Sequence, residues 1–208
     1  MDKADGLARR TDGPGAKRGP VSSGTRERLM AAAAELIGEL GWGRATTRAV
    51  AERAGLPHGT VSYHFRGKQD LLISAAMWTF TQALPADSFE SADSIEALVT
   101  LIGDPDVIEP ALSRLMLETL REAERDPALG EQVRSMMVDY RRLIIDVLRA
   151  EQERGAVAKD LPLEGLGTLL AAVGDGLAVH ALLDPDLDVV APLNALRALL
   201  GLPGLPGG

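Results

Sequence analysis

The sequence predicts an all-α protein in two parts: a small three-helix unit at the N-terminal end and a larger helical bundle behind it. Three observations carry that expectation. Apolar residues recur at helical spacing in one stretch after another, and Pro and Gly break the chain between those stretches. No segment shows the sustained period-two alternation of a half-buried strand. Of the 208 residues 46% are hydrophobic but only 3% aromatic, so a core of useful size has to come from Leu, Ala and Val. The absence of Cys excludes disulfides, thiolate zinc sites and a thiol redox switch.

Residues 1–24 are rich in Gly, Ser and Pro, with little apolar material, and are expected to be disordered. Thr25–Leu40 is the first clear helix. Leu29, Ala32, Ala33, Leu36, Ile37 and Leu40 form a single stripe. Gly41-Trp42-Gly43 ends it, with Trp42 read as a core plug rather than a base-stacking residue.

Thr46–Lys68 is the stretch around which the chain is organised. Thr46 and Thr47 can cap a short helix whose Val50, Ala51 and Ala54 give one small apolar face. Gly55 permits a left-handed turn, and Pro57 stops the helix from running on. A second short helix, His58–Phe65, has Val61 and Phe65 four apart as anchors. His58, Gly59, Thr60, Ser62, Tyr63 and His64 are left to point outward. Helix, glycine turn and a second helix rich in hydrogen-bonding side chains make a helix-turn-helix, whose second helix fits a DNA major groove.

Thr25–Leu72 resembles the DNA-binding domain of the TetR family of transcriptional regulators. The resemblance rests on the amphipathic first helix, the Gly-Trp-Gly break, the TT-x-x-VA-x-x-AG stretch, GTVSYHF, and Lys68 before Leu71-Leu72. Many members of that family carry Tyr where Ser62 stands, so a phosphate contact made there is either lost or passed to Tyr63. The resemblance implies an N-terminal three-helix DNA-binding domain over residues 25–67, then a helical ligand-binding and dimerisation domain over 68–200 and a flexible tail at 201–208. It also implies a homodimeric repressor that binds double-stranded DNA at a near-palindromic operator and is released by a small apolar or amphipathic effector. Thr60, Tyr63 and His64 are expected at the groove and backbone, and Thr47, Arg48 and Lys68 at phosphates, with Gly59 allowing close approach. His58 and Ser62 complete the candidate DNA-binding set.

Charge divides the same way. Residues 1–70 carry 12 Lys+Arg against 8 Asp+Glu, and residues 71–208 carry 10 against 22, so the net −8 hides a +4 end and a −12 body. A basic end with an acidic body suits a protein oriented toward nucleic acid. Arg9, Arg10, Lys17 and Arg18 make the leading segment either an arm along the phosphates or a solubilising tail.

Lys68–Leu84 is the next helix and the covalent route from the DNA-binding end to the body; in a TetR-like protein it acts as the lever for a ligand signal. Its first-turn Lys68 is unfavourable at the positive end of the helix macrodipole unless a phosphate sits there, although Asp70 offsets it in part. The body reads as helices over Ser94–Leu101, Val107–Glu124, Pro127–Arg154, Pro162–Leu183 and Asp188–Leu200, with Pro85, Pro105, Pro127, Gly155, Pro162 and Pro185 at the joints. Pro162–Leu183 is apolar over most of its circumference and interspersed with Gly and Ala, so it needs more cover than one subunit offers. GDGLAVHALLDPD resembles the penultimate helix of many TetR regulators. Residues 162–200 are therefore assigned to dimerisation, with Leu166, Leu170, Val173, Leu177 and His180 at the interface.

Catalytic and metal constellations are weak. His58 and His64 fall on different helix faces, His180 is remote, and the alternating Asp184, Asp186 and Asp188 lack the Gly and Glu of a calcium loop. No G-x-S-x-G or P-loop is present, so neither an enzyme nor a cofactor is expected. For an effector pocket the candidates are Trp78, Met116, Met136, Met137 and Tyr140, with Arg114, Glu118 and Asp175 as charges that nothing aims inward. No run of eighteen apolar residues and no signal peptide is found, so a cytoplasmic protein with no membrane partner is expected. Two alternatives remain: a regulator without a small-molecule effector, and an acidic protein–protein adaptor whose helix-turn-helix is only structural.

Overall fold

A computed structural model describes residues 21–84, 88, 94–104, 107–202 and 204. Among these residues the elements are helices and turns, with no strand: α1 Val21–Leu40, α2 Thr47–Arg53, α3 Gly59–His64, α4 Lys68–Ala83, α5 Ile95–Ile102, α6 Pro110–Ala123, α7 Pro127–Glu153, α8 Leu163–Leu183 and α9 Val190–Leu199. The helix starts follow capping chemistry. The Thr46 hydroxyl accepts from the Ala49 amide at 3.1 Å, Ser94 from Ala97 at 3.2 Å, and Asp126 from Ala128 and Leu129 ahead of Pro127. Gly41 (φ 82°) and Gly55 (φ 64°) take the left-handed turns that end α1 and α2. The alternating aspartates shape the connection before α9: Asp184 accepts from the Asp186 amide within the turn, and Asp188 from the Val190 and Ala191 amides at the helix start.

Two apolar cores result. The first joins α1–α4 around Trp42, Leu29, Ile37, Val50, Val61, Phe65 and Leu71, and extends to Leu115 of α6 and Leu129 and Val133 of α7. The second holds Leu98, Val99 and Ile102 of α5 against Ile144 and Leu148 of α7, Leu170 of α8 and Leu193 of α9. At its edge the buried Glu151 accepts from the Ile95 amide at 3.3 Å, and the buried Arg197 pairs with Glu96.

Three sequence expectations need correction. The first helix begins at Val21, so residues 21–24 are helical rather than part of a disordered arm. The break between the two parts does not fall at residue 68, because α4 gives Leu71, Leu72, Ala75 and Ala76 to the first core and packs along α1. The tail does not start cleanly at 201 either, since Leu202 donates its amide to the Arg197 carbonyl and packs on the second core. Arg9, Arg10, Lys17, Arg18, Pro85, Pro105 and residues 203 and 205–208 lie outside the described residues.

Candidate functional site: an exposed recognition helix and an internal cavity

The helix-turn-helix is held by its own sequence. Val61 and Phe65 are buried anchors that turn α3 so that Gly59, Ser62 and Tyr63 face outward, with Tyr63 72% exposed. The Tyr63 and His64 rings meet edge-on at 5.0 Å, and the Ser62 hydroxyl donates back to the Gly59 carbonyl at 3.3 Å. A Cβ added at Gly59 would meet nothing within 4 Å, so the surface there is open to close approach. From α1, Arg28 donates to the Ala54 carbonyl at 2.6 Å, and the Arg26 guanidinium lies 5.0 Å over the Phe65 ring. Arg53 is tied to Glu35 and Glu39, which holds its pKa up and that of Glu39 down. Arg48 and Arg66, by contrast, are exposed and join no ion pair among the described residues.

At the start of α4, the Lys68 ammonium donates to the Gly43 carbonyl at 2.7 Å, and Asp70 accepts from the Arg66 amide at 2.8 Å. No side chain caps the helix at Gly67. Gln69 links three elements: it accepts from the Trp42 indole at 3.2 Å and donates to Asp126 at 2.7 Å. The Gln69 bond, followed by the α7 amides, holds the Asp126 carboxyl below its usual range.

Between α4, α5, α6, α7 and α8 lies a cavity of about 650 Å³. Met77 and Phe80 of α4 with Leu84 at its end, Met116 and Leu120 of α6, and Met136, Met137 and Tyr140 of α7 make most of its wall. The Ser113 hydroxyl lies 3.3 Å from both the Glu109 and Ala178 carbonyls, and Thr119 donates to Leu115 at 2.7 Å, so these two hydroxyls are already engaged by backbone. Asp175 of α8 also lines the space, and burial raises its pKa. Burial, reinforced by the charge of Asp175, pushes the Tyr140 phenol up to about 12, so it stays protonated.

Comparison with known proteins matches these two halves separately. Residues 29–75 match the family of bacterial regulatory proteins, tetR family, and residues 91–201 match the BetI-type transcriptional repressor C-terminal family. The chain belongs to the TetR family. Its relatives include the HTH-type transcriptional repressor AcnR of Corynebacterium glutamicum, 25% identical over 76% of this chain and 82% of that protein. The fatty acid metabolism regulator protein of Bacillus subtilis is 23% identical over 83% and 91%. Among solved structures, a putative transcriptional regulator from Pseudomonas aeruginosa PAO1 superposes with a TM-score of 0.73 at 21% identity, over 86% of this chain and 92% of that one. The SmeT–triclosan complex gives 0.71 at 20% over 89% and 98%. FadR from Bacillus subtilis with stearoyl-CoA gives 0.64 at 20% over 83% and 96%.

Membership of the TetR family makes the protein a regulator of transcription, of the repressor type, and not an enzyme. The residues singled out in the sequence fall unevenly on this frame. Arg48, His58, Gly59, Ser62 and Tyr63 are exposed, and Thr47, Thr60, His64 and Lys68 are half-buried along the same end of the molecule. Arg66, not among the expected residues, is exposed in the turn leaving α3. Met116, Met136, Met137 and Tyr140 line the cavity. Trp78 does not: it lies on the opposite side of α4, in a groove of about 510 Å³ against α1 and α6. Arg114 lines that groove too. Glu118 points at Gly41 instead, within 3.1 Å of where a Cβ there would stand.

The assignment of Leu170 to a subunit interface is overturned. Its side chain is 0% exposed in the second core of its own protomer, so no partner can reach it. Leu166, Val173 and Leu177 also lean onto that core, while His180 is exposed. Besides Glu164, Gly165 and Thr168, α8 leaves Leu169, Ala172, His180 and Leu183 outside, with Leu169 58% and Leu183 78% exposed; Leu199 of α9 is 85% exposed. Nothing lies within 4 Å of a Cβ added at Gly176, on the same stripe.

Proposed function

We propose that the protein is a cytoplasmic, homodimeric repressor that holds a near-palindromic operator and lets go when a small apolar or amphipathic molecule fills the cavity. The observation that carries this reading is the double use of α4. Its first half, Leu71, Leu72, Ala75 and Ala76, is packed into the DNA-binding core, and its second half, Met77, Phe80 and Thr81 with Leu84 at the end, is cavity wall. A molecule that moves the second half cannot leave the first in place, because a packed helix shifts as a unit. Such a molecule acts only through its different affinity for the two arrangements. Ligand complexes among the structural neighbours, with triclosan and with stearoyl-CoA, support a cavity that receives effectors.

Dimerisation is supported by the stripe of Leu169, Ala172, Gly176 and Leu183 together with Leu199, an apolar face too continuous to leave in water. A twofold through that face presents two α3 helices, which read half-sites about 34–36 Å apart. Tyr63, Thr60 and His64 approach the groove, Gly59 admits the backbone, and Arg48, Thr47 and Lys68 approach phosphates. The uncapped amides at the start of α4 suit a phosphate as well. Footprinting at physiological salt on the DNA flanking the protein's own gene tests the reading. One protected, near-palindromic site is expected; binding that is non-specific and vanishes with salt, in both flanking and randomised DNA, overturns it in favour of an adaptor.

A further inference from the structure

The cavity is electrically one-sided. Asp139 and Asp175 line it, and among the described residues none of those lining it is Lys, Arg or His. Of the two, Asp139 is exposed and pairs with Arg142 at 3.5 Å, so its charge is already met. Between Lys68 and Arg114, the stretch that provides α4, α5 and the start of α6, the sequence carries eight acidic residues and no basic one. Asp175 is the more buried of the two lining carboxylates and takes part in none of the ion pairs among the described residues. It follows Gly174, whose missing Cβ would stand 4.0 Å from the Tyr140 hydroxyl, so carboxylate and phenol belong to one corner of the cavity.

A carboxylate in a largely apolar wall with no counter-charge destabilises its surroundings. An incoming cation relieves that cost and gains attraction strengthened by the low local dielectric. An incoming anion meets the Asp175 carboxylate, which no ion pair offsets, and has itself to be stripped of water. We propose that the effector is a cationic amphiphile, a protonated amine on an apolar body, whose ammonium group is received by Asp175 beside the Tyr140 hydroxyl. This rests on the effector-cavity reading and names the chemical class which that cavity takes. Met77, Phe80, Met116 and Met137 receive the apolar body, methionines adapting to its shape.

Calorimetric titration of the full chain near neutral pH with decylammonium, 1-decanol and decanoate, each below its micelle concentration, tests the proposal. Decylammonium is expected to bind saturably and about tenfold or more tighter than decanol, with decanoate weakest. Asp175→Asn removes the advantage of the amine over decanol. Asp175→Glu keeps the advantage, and so does Glu164→Gln, which removes one negative charge from the exposed surface of the same helix. Decanol or decanoate binding as tightly as decylammonium overturns the proposal and leaves the cavity reading standing, as does an undiminished amine advantage in folded Asp175→Asn. Failure of all three molecules to bind removes the cavity reading and the proposal with it. The wild-type ranking decides the matter even where Asp175→Asn does not fold.

Discussion

The two halves of the protomer handle their interiors in opposite ways. Around Trp42 the chain is closed: Leu29, Ala33, Ile37, Val50, Ala51, Leu71 and Leu72 have no exposed surface. The joints there are pinned by side chain to backbone, Arg28 on Ala54 and Lys68 on Gly43. Around Tyr140 the chain leaves about 650 Å³ open, lines it with methionines, and sets a partly buried carboxylate in the wall. A recognition helix has to keep its position and angle, which dense packing secures. A sensor has to keep a second arrangement within a few kcal/mol, which slack and an unmet charge provide. Packing is dense around the helix-turn-helix and slack around the cavity.

The outer face of α8 and α9 tests this contrast hardest, because neither half can span two half-sites alone. Leu169→Asp with Leu183→Asp places charge on the apolar stripe without entering either core. The pair is expected to sediment as a folded monomer and to lose operator affinity by about a hundredfold or more, since the second half-site contact is no longer intramolecular. A dimer of unchanged affinity would move the interface elsewhere.

Next in size is a matched pair of truncations. Leu72→Ala in the closed core is expected to cost about 3 kcal/mol in urea denaturation, as a full cavity term adds to the lost transfer energy. Met116→Ala, beside a space that already exists, is expected to cost about 1 kcal/mol, since many of its contacts are missing to begin with. Equal losses would erase the distinction between closed and slack interiors.

Asp175 sharpens it further through pH. Burial raises its pKa in the folded protein above the unfolded value of about 4, so the acid is neutral in both states below that range and folding carries no penalty there. As pH rises through the folded pKa the charge is disfavoured in the native state and stability falls. Asp175→Asn should therefore match the wild-type Tm near pH 4 and exceed it near pH 7. A constant difference across that range would mean that the Asn acts by packing rather than by charge.

Much of this was readable in the chain, and the failures share a cause. Thr46 before a small apolar face, Gly41 and Gly55 at helix ends, and Trp42 between glycines each had one reasonable structural outcome, and each is found that way. Where polar and apolar residues contrast along a helix, as between Leu29 and Leu40, the buried stripe follows from periodicity. α8 has almost no such contrast. Leu169 and Leu170 are equivalent in sequence, yet one is largely exposed and the other wholly buried, because that choice is made by Ile144 and Leu148 of α7 and by α5. The same holds for Met77 and Trp78, adjacent on α4 and facing different spaces. Asp175 was one of three charges that nothing in the sequence aims inward, and only the tertiary packing turns it to the cavity while Arg114 and Glu118 face elsewhere.

The smallest effect concerns Lys68, which has one tie already and is assigned a second. Its ammonium donates to the Gly43 carbonyl, an arrangement that fixes the start of α4 against the loop holding Trp42. A lysine so placed still has two further donors and its charge, and it stands where the α4 amides are uncapped. Lys68→Gln retains a donor for Gly43 and removes the charge, which separates the tether from the phosphate contact. The variant is expected to unfold at the same urea concentration as wild type and to bind all DNA sequences more weakly. Its slope of log affinity against log salt should be shallower by about 0.9 per lost phosphate contact. An unchanged slope with lowered stability would leave Lys68 as a tether alone, and the rigid end of the molecule would then meet DNA through Arg48, Arg66 and the recognition helix.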